Sequence, residues 1–161
     1  MTMAIFTVQA QEGLKAEGHI GAMMGDASDY FGLNIGASVS YLYPVMDNLH
    51  LGGMAGLDLF TGKDIPNTGT KLKGMTLLPV AFSAQYDFDE NFFAGADVGY
   101  GLSLSKDYKG GFLFQPKGGW QNEFFQVFAY FKSISNSLDV DPTYRNFNSV
   151  NAIGVGAAYK F

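Results

Sequence analysis

The chain contains no cysteine, which removes disulfide cross-links, thiolate metal ligands and a lipid-bearing N-terminal thiol from consideration. It also lacks any apolar run of the about 18 residues that a membrane-crossing helix needs. Charge is scarce: Asp, Glu, Lys and Arg make up 16% of the residues, against roughly 25% in ordinary soluble proteins. Basic residues are the minority, and the net charge of −5 leaves no basic stripe for nucleic acid. Only two histidines are present, His19 and His50, and neither stands in a spacing with carboxylates that would make a metal site. What the chain has instead is 47% hydrophobic residues, 16% aromatics and 21 glycines. That profile excludes disorder, which is poor in aromatics. The 161 residues suit one domain without a linker.

The apolar residues alternate with small or polar ones in eight stretches, about 13–24, 30–43, 49–60, 74–86, 92–104, 111–120, 124–133 and 147–161. A period of two is the mark of a strand with one apolar and one polar face. In the last stretch Ile153, Val155, Ala157, Tyr159 and Phe161 form one set, with Gly154, Gly156 and Lys160 between them. Short turns at Pro44-Val-Met-Asp-Asn48, Asp87-Phe-Asp-Glu-Asn91 and Gln121-Asn-Glu123 alternate with connections that are mostly longer, notably 61–73 and 134–146. Residues 1–10 differ in character: Ala4 to Val8 resembles the end of a signal-peptide apolar region, and Val8-Gln-Ala10 resembles a cleavage site. The expected organisation is therefore a signal remnant or disordered tail over 1–10 and a barrel over 11–161.

A soluble barrel alternates too, with its apolar side inward. Here the apolar set holds too much Phe, Tyr and Leu for an interior that side chains only just fill. The other set is Gly, Ser, Asn and Gln with an occasional charge, whereas a water-facing surface would be about a quarter to a third charged. The apolar face therefore points into lipid, and the predicted fold is an all-β, eight-stranded antiparallel up-and-down transmembrane barrel. No charged residue falls on the assigned lipid face, where a basic one at mid-membrane costs about 2–4 kcal/mol. Tyr43, Tyr86, Trp120, Tyr159 and Phe161 cluster at the strand ends beside the short turns, and Phe31, Phe112, Phe131 and Phe147 lie towards the other rim. Such paired rings mark the two membrane interfaces.

With these girdles and the ending Gly156-Ala-Ala-Tyr159-Lys-Phe161, the chain resembles the small eight-stranded outer-membrane proteins typified by OmpX, Ail and the OmpA membrane domain. The resemblance covers about residues 13–161. It implies residence in a Gram-negative outer membrane with both termini periplasmic, a monomer, assembly by the barrel-assembly machinery, and lipid and lipopolysaccharide as neighbours. Members of that class include adhesins, complement-evasion factors and lipid-modifying enzymes, so fold alone assigns no role.

The charged residues assigned to the lumen are Lys15, Glu17, Asp58, Asp97, Lys117, Lys132 and Lys160, joined by His19. They are expected to form internal pairs, because a lone buried charge is costly. Asp97 is expected near Lys117, and Lys160 near Glu17 or Lys15. Met23, Phe60, Met75, Leu77, Leu113 and Phe128 are apolar but point inward, either as plain packing or as a pocket for an acyl chain. Pro79 and Pro116 interrupt predicted strands, where proline removes a ladder hydrogen bond. They are expected to mark bulges, or a seam through which an apolar molecule leaves sideways. His19 lies mid-strand and His50 lies by a short turn, so a serine-histidine pair at the outer leaflet is not formed. Asp139 and Asp141 in the longest loop are too few for calcium, which takes six or more oxygens.

These observations predict a non-enzymatic barrel without catalytic residues, cofactor or metal. Its lumen is plugged, and its loops contact surfaces or lipopolysaccharide. The competing reading is a carrier resembling OmpW, which admits small hydrophobic molecules through the apolar upper lumen.

Overall fold

The structure is a computed structural model and describes residues 13–64, 69, 73–106, 108, 110–136 and 149–161. The expected tail at 1–10, Phe147, Asp139, Asp141 and much of both long loops lie outside the described residues. Eight strands follow one another: β1 (Leu14–Met24), β2 (Phe31–Met46), β3 (Leu49–Gly62), β4 (Met75–Asp87), β5 (Phe92–Ser103), β6 (Gly111–Gln121), β7 (Phe125–Asn136) and β8 (Val150–Lys160). Each pairs antiparallel with its neighbour in sequence, and β8 closes on β1 from Lys15↔Lys160 to Met24↔Asn151. Closure satisfies every strand edge, a requirement inside a bilayer where no water can serve the backbone.

The alternation sorts side chains as it should. On β8, Ile153 and Val155 are 50% and 58% exposed while Ala152 and Ala158 are buried. Ile35, Val39, Leu57, Leu59, Val80 and Phe82 continue the exposed apolar belt around the wall. Among the described residues no Asp, Glu, Lys or Arg stands on the outward face of a strand. A water-soluble surface does not carry a continuous apolar belt of this extent. The outside is lipid-facing, and this is a transmembrane barrel.

Short turns join one end of the barrel. Asp89 Oδ1 accepts from the amides of Asn91 and Phe92 at 2.7 and 2.8 Å. Asn122 Oδ1 repeats the device with Phe124 and Phe125 at 2.8 and 2.7 Å. Asp and Asn suit such turns because their short side chains mimic the backbone. The first turn is only Asp47-Asn48, because β2 runs on through Pro44 to Met46 with a register shift between those two residues. The sequence expectation of a turn from Pro44 onward is corrected by that bulge, which carries the strand past the proline.

A second register shift on β2, between Phe31 and Asn34, corrects another expectation. One extra residue on β2 reverses the parity of the strand, so Phe31 points inward at 4% exposure instead of joining the loop-side girdle. Pro79 and Pro116 behave differently from the expected bulges. Pairing of β3 with β4 lapses between Ala55↔Val80 and Asp58↔Leu77. That of β6 with β7 lapses between Phe114↔Ser133 and Lys117↔Tyr130. Register is kept on both sides of each gap, so the missing proline N–H opens the ladder without re-aiming the strand.

Candidate functional site in the barrel lumen

Because β1 rises from the turn end to the loop end, its inward residues Lys15, Glu17, His19 and Met23 mark successive levels of the lumen. At the lowest level Lys15 Nζ donates to Gln85 Oε1 and, at 3.2 Å, to Gln126 Oε1. Gln126 Nε2 donates onward to Gln85 and Gln121 at 3.1 and 2.9 Å.

One level higher, Lys117 Nζ bridges two carboxylates. It donates to both oxygens of Glu17 at 3.0 and 3.1 Å and stands 3.1 Å from Asp97 Oδ2. Ser38 Oγ donates to Glu17 at 2.9 Å, and Ser83 Oγ to Asp97. Asp97 thus meets Lys117, as the hairpin geometry suggested. The third level joins Asp58, His19 and Lys132. Lys132 Nζ donates to Asp58 Oδ2 and lies 3.0 Å from His19 Nε2, which is itself 2.7 Å from Asp58 Oδ1. Tyr130 Oη donates to Asn34 Oδ1 at 3.0 Å and presents its ring to the imidazole, centroids 5.0 Å apart. Every buried carboxylate here has at least one ammonium partner, which offsets its desolvation.

Two glycines make room for these groups. A Cβ at Gly36 would sit 2.5 Å from the His19 ring, and one at Gly156 would sit 2.5 Å from the Phe128 ring. His19 and Phe128 fit because the residue paired with each on the neighbouring strand has no side chain.

The loop end is apolar. Met23, Phe60, Met75, Leu77 and Leu113 pack with Phe31, Met54, Ile134 and Val150. Phe60, Met75, Leu77 and Leu113 are each at most 2% exposed. A short 3-10 helix, Gly25–Asp29, lays Ala27 into this cluster. Lys63 Nζ holds the helix from across the rim by donating to Ser28 O at 2.8 Å. Phe128, expected with these residues, lies instead near the polar levels with Phe93, Tyr130 and Ala158. The reason is the pairing of β7 with β8, which sets Phe128 opposite Gly156, two residues below Gly154 and Tyr130.

Lys160 stands directly opposite Lys15 across the β1–β8 ladder, one of the two places expected for it, and its Nζ donates to Gln121 Oε1 at 3.4 Å. His50 Nδ1 is 3.5 Å from Asp87 Oδ2 and makes no hydrogen bond. Reasoning from charge overlooked Asn34, Ser38, Ser83, Gln85, Gln121, Gln126 and Tyr130. Their signal was an inward place in the alternation, which neutral polar residues share with the charges.

Outside, Tyr43, Tyr86, Trp120, Tyr159 and Phe161 are all exposed beside the turns. Edge-on contacts link Phe125 to Tyr159 at 5.3 Å and Tyr159 to Phe161 at 5.0 Å. Phe124, the first residue of the alternating stretch 124–133, belongs to the turn before β7 and is exposed.

No protein-family model matches the sequence, and no curated protein matches it. Solved structures match by shape. Ail, the attachment invasion locus protein of Yersinia pestis, is 13% identical, with TM-score 0.57 over 93% of this chain and 99% of its own. A transmembrane β-barrel designed de novo gives 12% identity and TM-score 0.55 over 93% and 96% of the two chains. The N-terminal β-barrel domain of Pseudomonas aeruginosa OprF gives 14% and 0.50 over 93% and 98%. A natural attachment protein and a designed barrel match about equally well. The likeness is therefore one of fold, an eight-stranded transmembrane barrel, and leaves the role to the residues.

Proposed function

We propose that this barrel is a non-enzymatic outer-membrane scaffold that acts through its loop-side rim and does not conduct. The observation that carries the reading is the packed apolar cluster under that rim, where Phe60, Met75, Leu77 and Leu113 fill the section through which a solute would pass. With the lumen closed there, the parts left to meet other molecules on that side are the loops, the usual seat of binding on a rigid scaffold. The described chain starts at Gly13 and ends at Phe161 on the turn side of the barrel, and this reading puts that side in the periplasm. Lipopolysaccharide or an external surface contacts the loops, and the barrel-assembly machinery inserts the chain as a monomer. The attachment role named for Ail is in keeping with this reading.

Single-channel recording in planar bilayers tests the closed lumen: silence is expected from correctly folded protein, and steady conductance would refute it. Trimming residues 65–72 and 137–148 tests the rim. Folding should persist and binding to cells or to lipopolysaccharide should vanish; retained binding would exclude the loops. The ladder gaps at Pro79 and Pro116 favour a second reading, a carrier for small hydrophobic molecules with sideways exit. The packed cluster weighs against it. Uptake of an apolar dye into vesicles, abolished by filling either gap, would restore it.

A further inference from the structure

The turn-side mouth of the lumen holds charges that the rest of the interior would have paired. A cavity of about 310 Å³ opens there, within the roughly 300–1,000 Å³ typical of small-molecule sites. Lys15, 6% exposed, lines it, together with Lys160, His50, Gln85, Gln121 and two acids, Asp87 and Glu123. Lys15 and Lys160 face each other directly across the β1–β8 ladder, and like charges so placed repel.

Higher in the lumen, Lys117 and Lys132 end on carboxylates. Lys15 and Lys160 end only on glutamine oxygens, and among the described residues neither has a carboxylate within 4.0 Å. The nearby acids are otherwise placed. Asp87 accepts from Gln85 Nε2 at 2.6 Å and faces His50, while Glu123 is exposed at the rim.

A buried ammonium with no carboxylate in direct contact is costly, and the half-buried Lys160 opposite adds like-charge repulsion. We infer that the mouth binds a compact phosphate dianion between the ammonium groups of Lys15 and Lys160, with the His50 ring at its edge. Two ammonium groups match the two charges of a phosphate or phosphate monoester through charge-assisted hydrogen bonds. Gln85, Gln121 and Gln126 adapt to the anion because each amide can present its NH₂ in place of its oxygen. The phosphate comes either free from the periplasm or from a lipid headgroup in the adjoining leaflet. The site is independent of what the loops contact.

The test is calorimetric titration of inorganic phosphate into the full chain, folded in phosphate-free nonionic micelles. One saturable site is expected. Lys160→Gln and Lys15→Met should each weaken it about tenfold or more, a loss of about 1.4 kcal/mol or more, and Lys63→Gln on the opposite rim should leave it unchanged. Heat-modifiable gel migration checks that each variant is folded. If Lys15→Met is not, Lys160→Gln at the more open position decides. No saturable binding, or unchanged affinity in Lys160→Gln, overturns the proposal. A short-chain phosphatidic acid then assigns the source: competition at lower concentration than phosphate indicates the headgroup, and failure to compete indicates the free anion.

Discussion

The two ends of the lumen solve the same problem in opposite ways. Both must fill a narrow tube with side chains. The loop end does so with side chains such as Met23, Met75 and Leu113, whose many weak contacts are interchangeable and require no partner. The turn side does so with Glu17, Asp58, Asp97, Lys117 and Lys132, each satisfied only by particular groups. A packed apolar cluster degrades gradually as atoms are removed, whereas an ion pair fails abruptly when one partner goes. On the proposed reading the apolar end is the seal, and the polar end is the part that demands one arrangement.

The largest test of this contrast is Lys132→Met. Asp58 would keep His19 and Asn34 but lose its ammonium, and leaving a buried charge uncompensated costs about 3–5 kcal/mol. Urea unfolding in lipid vesicles should register that loss. Adding Asp58→Asn to the same chain should recover much of it, because the stranded charge is then gone. A double variant as unstable as the two single losses summed would mean that the pair does not act as a unit.

Phe60→Ala probes the other end. Its ring is 2% exposed and meets Phe31 edge-on at 6.4 Å, so truncation should cost about 3 kcal/mol through lost contacts and a residual cavity. No second substitution should rescue it in the manner of Asp58→Asn. Truncating Met75 and Leu113 as well should open the section, and conductance should then appear where the parent protein is expected to be silent. Continued silence would place the block lower, among the ion pairs.

Much of this architecture is legible in the sequence because its determinants are local. Period-two alternation marks all eight strands and tells lipid from lumen, since a slip of one residue would expose every charge. It fails at Phe31 because a bulge changes parity without changing composition. It extends only partly to partners. Asp97 and Lys117 lie near each other in one hairpin, and their contact follows from its register. The union of His19, Asp58 and Lys132 draws on three strands and depends on reach across the tube, which no linear pattern encodes. The Lys15–Lys160 opposition follows from closure of β8 on β1. That the two lysines end on glutamines rather than acids depends on which side chains the others have already engaged.

The boundary between the two ends can be located with a smaller effect. Gln115 lies on β6 just below Leu113, opposite Asp97 on β5, and is 1% exposed with its Oε1 lacking any hydrogen-bond partner. It is polar by residue type and apolar by circumstance. An unsatisfied buried oxygen lowers stability, whereas an apolar group of the same shape does not. Gln115→Met should therefore stabilise the barrel by about 1 kcal/mol, visible as a higher urea midpoint with unchanged slope. Gln85→Met, by the same measurement, should destabilise, because that amide serves Lys15 and Asp87. Opposite signs for two buried glutamines would put the border of the apolar seal at Gln115. Equal losses would instead extend the polar, partner-dependent part of the lumen up to Leu113.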